Sequence, residues 1–236
     1  MSAGFLSLLK QLHNRALDLL YPPRAICAGC GTGSGCEADY LCAECLERLK
    51  RSQRGFHLTP EDSKICGRAH AFGYAGAASG VVRALKYHSV RPLARMMAQE
   101  MVRALSTPAP GGPSIEVPYR FDCIVYVPMH FWRRWLRGMD HAELLAREVS
   151  QILDIPVLPA LVRARRTPQQ ARLDKEHRVK NLMGAFRLKE DVRAKSILLI
   201  DDVFTTGATC EECAKVLMKG KATRVFALTY AVSDGQ

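Results

Sequence analysis

The chain has little of what would mark it as exported or membrane-embedded. No apolar run is long enough to span a bilayer. The apolar residues of Phe5–Leu20 are broken by Lys10, His13, Asn14, Arg15 and Asp18, which also leaves no clean signal-peptide core. The phosphate-binding pattern G-x-x-x-x-G-K-[ST] is missing, which argues against a P-loop nucleotidase. No internal repeat occurs beyond a pair of Cys-x-x-Cys motifs, and there is no coiled-coil pattern. Acidic residues are scarce: 23 against 34 basic ones, for a net charge of +11. That imbalance favours polyanionic partners, such as nucleic acid, phosphorylated metabolites or anionic lipid. Apolar residues are not scarce. At 48% of 236 residues they rule out global disorder and suffice for one α/β domain plus a small module.

Nine cysteines raise the prospect of a secreted disulfide scaffold, but their placement argues against it. Four of them form Cys27-x-x-Cys30 and Cys42-x-x-Cys45, separated by eleven residues. Two such knuckles close a tetrahedral thiolate site of the kind zinc prefers in structural roles. A segment this short has little core of its own and needs a metal or crosslink to fold. Four thiolates leave no open position, so the expected zinc is structural. The expected compartment is reducing and cytoplasmic. Cys36 lies between the knuckles as a spare thiol or alternative ligand. Cys210 and Cys213 lie on a predicted helix without a partner pair and read as buried thiols. His88, His130 and His141 read as loop or surface histidines.

The patterning divides the chain into three parts. Residues 1–22 form an expected amphipathic helix, stopped by Pro22-Pro23, that packs on this chain or a partner and leaves peripheral membrane association open. Residues 23–66 form the zinc-ribbon module, and residues 67–236 an α/β domain. In that domain strands are expected at 69–74, 121–127, 157–162, 185–189, 196–200 and 224–231. Helices are expected at 78–87, 91–105, 139–153 and 208–219. Alternation of this kind calls for a mostly parallel sheet flanked by helices.

The stretch Ile197–Thr209, I-L-L-I-D-D-V-F-T-T-G-A-T, carries the chemistry. A short aliphatic run reads as a strand buried on both faces, which places Asp201 and Asp202 at its carboxyl end. Thr205, Thr206, Gly207, Ala208 and Thr209 then lead into a helix. Hydroxyls and free backbone N–H groups at a helix start suit a phosphate. Carboxylates repel a phosphate, so the acid pair is better explained as acceptors for sugar hydroxyls. A sugar phosphate is the first chemical expectation. The magnesium site of an ATPase, a phosphoacceptor pair and purely structural carboxylates are the alternatives. Two basic stretches could converge with this one: the loop after Val127, with Arg133, Arg134 and Arg137, and 163–180. The second holds seven basic residues, including Arg163, Arg165, Arg166 and Arg172.

With these motifs in hand, Ile197–Thr209 resembles the phosphoribosyl-pyrophosphate (PRPP) signature of type I phosphoribosyltransferases. The chain as a whole resembles the ComF (ComFC-like) competence family, which joins an N-terminal zinc ribbon to such a domain. The resemblance is carried by Cys27–Cys45, A-L-K-Y at 84–87, Arg137-Gly138 with A-E-L-L-A at 142–146, R-T-P-Q-Q at 166–170 and N-L-M-G-A-F at 181–186. It implies a type I phosphoribosyltransferase-like fold. It implies Asp201 and Asp202 on the ribose hydroxyls and Thr205–Thr209 around the 5′-phosphate. Arg133, Arg134 and Arg137 would lie on the pyrophosphate side, with magnesium arriving on PRPP. It links the chain to DNA uptake, with transfer of a phosphoribosyl group to an unidentified acceptor. The other reading is a non-catalytic module that binds single-stranded DNA through Arg163, Arg165, Arg166 and Arg172, or DNA-uptake proteins. The chain departs from the pattern at Ser63-x-x-Cys66, where relatives have a further Cys-x-x-Cys, and at Met139-Asp140-His141, in place of aromatic-Asn-Gln.

Overall fold

The computed structural model describes residues 26–33, 40–88, 91–110, 120–129, 140–164 and 182–233. The predicted helix at 1–22, Cys36, His130, Arg133, Arg134, Arg137, Arg165, Arg166 and Arg172 lie outside the described residues. Among the described residues, the central element is β6, Ser196–Phe204, whose first five residues were legible as a buried aliphatic strand. It pairs in parallel with β7 (Arg224–Val232) on one side and β3 (Cys123–Tyr126) on the other. β2 (Gly67–Gly73) lies parallel to β7, and β1 (Gln53–Leu58) closes that edge antiparallel to β2. The sheet order is therefore β1-β2-β7-β6-β3.

Strand alternation gives β6 two buried faces. Leu198 and Ile200 enter one apolar cluster, Ile197 and Leu199 the other. The first cluster is covered by α2 (Gly76–His88), α3 (Arg91–Ser106) and α4 (His141–Leu153). The second is covered by α5 (Ala208–Lys219) and a separate antiparallel pair, β4 (Leu161–Arg163) with β5 (Phe186–Leu188). Cys27, Leu41, Cys45 and Leu49 belong to the first cluster, the last two lying on α1 (Ala43–Arg51). The cysteine-bearing segment is thus packed into the main core.

The mostly parallel α/β sheet agrees with the expectation, and so do the bounds of α5. Four expectations need correction. β6 runs to Phe204, because β7 keeps pairing with it as far as Val232; the acid pair lies inside the strand, not after it. The expected strands at 157–162 and 185–189 do not join the parallel sheet. Only 161–163 and 186–188 form a ladder, with each other, while Val157 makes a single bridge to Ile124. β1 and α1 were not anticipated; β1 is hydrogen-bonded into the large sheet although composition groups residues 53–58 with the cysteine module. His141 is buried, not on the surface.

Gly67 opens β2 under the stacked rings of Phe56 and Phe226, whose centroids are 5.1 Å apart. A Cβ there would sit 2.5 Å from the Phe226 ring. Neither ring can withdraw from a close-packed core. Gly67→Ala is expected to destabilise the fold by about 1–3 kcal/mol, read as a lower urea midpoint with an unchanged slope.

Candidate functional site

The site begins where β3 stops. Tyr126 pairs with Ile200, and Val127 N–H donates to the Ile200 carbonyl at 2.9 Å. β6 continues for four more residues without β3 beside it. Asp201 and Asp202 therefore face a notch at the carboxyl end of the sheet, the usual place for ligands in open α/β folds. Consecutive side chains on a strand point to opposite faces, and the two carboxylates have different neighbours. Asp202 Oδ2 meets Lys86 Nζ of α2 at 2.7 Å. Asp201 is in register with Thr229 of β7 and lies toward the α5 side, where its charge raises the pKa of the Cys210 and Cys213 thiols, already pushed up by burial.

These environments separate the acids electrostatically. Burial, and then the charge of Asp202, push the Asp201 carboxyl up to about 8, although Asp202 N–H donates to its Oδ1 at 2.9 Å. Burial works against the charge on Lys86, but the carboxylate of Asp202 outweighs it and the ammonium is held above its ordinary range. Lys86 was noted in the sequence only as part of A-L-K-Y. A lysine near the end of an apolar helix gives no sign of its partner, which lies over a hundred residues away.

After Phe204 the chain turns through Thr205 and Thr206 into α5. Gly207 has φ +75°, and a Cβ on it would lie 2.6 Å from the Phe204 ring, so glycine is required twice over. Thr206 Oγ1 accepts from Ala208 N–H at 3.4 Å, and Thr205 is exposed. The loop thus places hydroxyls and the opening N–H groups of a twelve-residue helix beside the acid pair.

Asp140 joins the described residues on either side of the segment that carries the three arginines. One carboxylate oxygen accepts from Met129 N–H at 2.8 Å, the other from Ala142 N–H at 3.2 Å and Glu143 N–H at 3.4 Å. Asp140 is thus both the cap of α4 and its tie back to Met129, and its charge contributes to raising the Asp201 pKa. The departure at Met139-Asp140-His141 acquires a structural reason. Asp140 ties α4 to Met129, and His141 is buried at the first turn of α4. Arg163 is the one nucleic-acid candidate among the described residues; its guanidinium lies 5.5 Å from the centre of the Phe186 ring, on the β4–β5 pair.

The four knuckle sulfurs lie within 4.8 Å of one another, and Cys30 Sγ is 3.9 Å from Cys42 Sγ. A Zn–S bond of about 2.3 Å in a tetrahedron requires sulfurs about 3.8 Å apart, so the set fits a metal ion such as zinc. Cys42 N–H donates to Cys27 Sγ at 3.3 Å, a bond that favours the thiolate. Cys66 is exposed and stands apart from this group. Ser63, at the position of an absent cysteine, donates to Glu211 Oε1 on α5 at 2.5 Å, and Lys64 N–H donates to Oε2 at 3.2 Å. The loop that carries Ser63 and Lys64 is thereby pinned to α5.

No protein-family model matches the chain. Competence protein F of Haemophilus influenzae is 39% identical over 102 residues, covering 42% of this chain and 44% of that protein. DNA utilization protein YhgH of Escherichia coli K12 is 29% identical over 207 residues, 86% of this chain and 82% of that one. Competence protein ComFC of Bacillus subtilis is 25% identical over 223 residues, 91% and 87% respectively. Among solved structures, the glutamine PRPP amidotransferase from B. subtilis shares 18% identity at a TM-score of 0.35, over 58% of this chain and 25% of that chain. A purine phosphoribosyltransferase from Pyrococcus horikoshii shares 16% at 0.33, over 70% and 87%. The chain is homologous to proteins named for competence and DNA utilization, as its motifs predicted. Among the described residues, no helix is long and apolar enough to cross a membrane.

The raised pKa of Asp201 carries a stability consequence. The folded chain holds this proton up to about pH 8, whereas an unfolded chain releases it near pH 4. Between those values the folded state binds more protons, so stability falls as pH rises. Asp201→Asn removes that slope. Its thermal midpoint relative to wild type is expected to rise between pH 4 and pH 8, by about 2–4 °C for each kcal/mol of linkage.

Proposed function

We propose that this chain binds PRPP at Asp201, Asp202 and Thr205–Thr209 and serves DNA uptake or utilization as a phosphoribosyltransferase-type protein. One observation carries the reading: an acid pair projecting past the end of β3 runs directly into a hydroxyl-rich, glycine-hinged loop at the start of α5. Carboxylates accept from hydroxyls and a helix start takes a phosphate, so the ligand carries sugar hydroxyls and a phosphate. Asp201 and Asp202 take the ribose hydroxyls, and Thr205, Thr206, Gly207, Ala208 and Thr209 take the 5′-phosphate. Arg133, Arg134 and Arg137 supply the pyrophosphate side from the segment between Met129 and Asp140. Magnesium comes with the diphosphate, as its preference for oxygen ligands and retained waters suggests. In transfer to an acceptor, the leaving pyrophosphate gains charge that these arginines stabilise; no protein nucleophile is required. Cys27, Cys30, Cys42 and Cys45 hold a structural zinc, residues 1–22 and 23–66 form the flanking helix and ribbon, and the compartment is cytoplasmic.

Calorimetry with PRPP and magnesium tests the reading. Wild type is expected to bind. Asp201→Asn/Asp202→Asn, which loses two charged-acceptor hydrogen bonds, is expected to bind about a hundredfold more weakly, for roughly 3 kcal/mol. Wild type that does not bind at millimolar PRPP would sink the proposal. Burial holds the Asp201 carboxyl up to about 8 in the free protein, and the ionised form accepts hydroxyl hydrogen bonds more strongly, so binding is expected to release protons at pH 7. The apparent heat should then vary with the ionisation enthalpy of the buffer.

A second reading, binding of single-stranded DNA without turnover, is favoured by the net charge of +11 and by Arg163 beside the Phe186 ring. DNA affinity should fall steeply with salt and weaken when Arg163, Arg165 and Arg166 are replaced. Pyrophosphate release from PRPP across a panel of bases and amines separates the two readings.

A further inference from the structure

The cysteine cluster and the acid pair lie on different parts of the chain, yet both are attached to α2. At one end, Gly80 of α2 packs backbone to backbone on the first knuckle. A Cβ at Gly80 would collide with the carbonyl oxygen of Gly29 and lie 2.9 Å from that of Ala28. Gly29 in turn has no room for a side chain, since its Cβ would sit 2.8 Å from Cys45 Sγ. Two glycines thus let a metal-site loop rest directly on the helix. Cys27, Leu41, Cys45 and Leu49 extend this seat by sharing one apolar cluster with Ala77, Ala78, Val81, Val82 and Leu85 of α2. At the other end, Lys86 of the same helix holds Asp202 at 2.7 Å. Gly80 and Lys86 are about 9 Å apart along the axis at 1.5 Å per residue, within one unbroken helix.

We propose that the cysteine module positions Lys86 through α2, so that metal occupancy at Cys27, Cys30, Cys42 and Cys45 and ligand binding at Asp201–Thr209 are thermodynamically linked. The physical route is continuous: knuckle carbonyl on glycine, glycine in helix, helix to lysine, lysine to carboxylate. Without the metal, four thiols no longer hold the knuckle in one shape, and the seat under Gly80 is lost. The helix is then free to shift, and Lys86 loses its register with Asp202. An unpaired Asp202 changes the charge that an incoming phosphorylated ligand meets. Linkage is reciprocal, so ligand at the notch must also tighten the hold on the metal. Lys86 acts here as a positioning residue for Asp202.

The inference rests on the proposed PRPP reading for its ligand, and the experiment keeps the two apart. The full chain is titrated with PRPP and magnesium, zinc-loaded and after treatment with a zinc-selective chelator. Removing zinc is expected to weaken wild-type binding about tenfold, within the usual range of coupling between sites. Lys86→Met is expected to bind equally with and without zinc, and Lys86→Arg to restore the dependence. Wild-type affinity that ignores zinc, or a Lys86→Met variant that still depends on it, overturns the proposal. Because chelation could unfold the module, Gly80→Ala is measured with all four cysteines in place. It should lose zinc to a colorimetric chelator faster and bind PRPP more weakly; no change in either overturns the link. If wild type binds no PRPP, the proposed ligand fails but the link is still read. Zinc release without PRPP should be faster in Lys86→Met than in wild type, and equal rates overturn it.

Discussion

The mismatch in length between β6 and β3 is the constraint from which the rest follows. β6 is buried on both faces for its first five residues and is held in place by parallel neighbours on both sides. Once β3 ends at Tyr126, β6 continues with β7 alone. A strand that keeps one neighbour stays straight while its other edge opens, and the two aspartates fall in that opening. The same extension delivers the chain to Gly207 at the angle that starts α5. Asp140 ties the start of α4 back to Met129, just past the end of β3. The stiffness of the sheet therefore does the positioning, and the functional groups are carried on its end.

Much of this could be read from the residues and some could not. Ile197–Ile200 announced a doubly buried strand, and Ala208–Lys219 a helix with a glycine before it, so the element pair around the notch was legible. The true end of β6 was not. Two aspartates look like a strand stop by propensity, and only the continued pairing of Val203 and Phe204 with β7 overrides that. β1 was missed for a related reason. Its sequence, Q-R-G-F-H-L, has little apolar alternation, because it is an edge strand, and a glycine at φ +81° interrupts it. β4 and β5 were seen as strands, but periodicity does not say which sheet a strand joins.

The site divided along the same line. Groups whose role depends on local sequence were visible: the paired knuckles, the threonines and the glycine hinge. Groups whose role depends on a distant partner were not. Lys86 gains meaning only from Asp202, Asp140 only from Met129, and Ser63 only from Glu211. His70 is similar. Its Nδ1 lies 2.7 Å from Thr229 Oγ1, which itself donates to the Ala231 carbonyl. The imidazole therefore donates from Nδ1 to the threonine, and burial keeps it neutral by lowering its pKa to about 3. That polar bridge lies in β2 and β7 beside Asp201, and no single segment of sequence reports it.

The sequence posed a difficulty that the geometry answers. Two adjacent carboxylates should repel a phosphorylated ligand from the helix start beside them. In the folded chain they do not act as a double negative charge. Strand alternation sends them to opposite faces; Lys86 balances Asp202, and Asp201 keeps its proton up to about pH 8. At neutral pH the pair with its lysine is close to electrically neutral. An anion can approach, and the oxygens become acceptors once the Asp201 proton leaves to solvent and the ammonium gives way to a hydroxyl donor. Each partner therefore has a separate task. In the proposed complex, the lysine would offset the charge of Asp202 as the ligand approaches, and the raised Asp201 would tie binding to the release of a proton. Two glutamines in place of the aspartates would accept hydroxyls without repelling the phosphate, but would lose the pH dependence and the grip on Lys86. The acidic pair is thus compatible with an anionic ligand because of its surroundings, and those surroundings are supplied by α2 and the packed faces of β6.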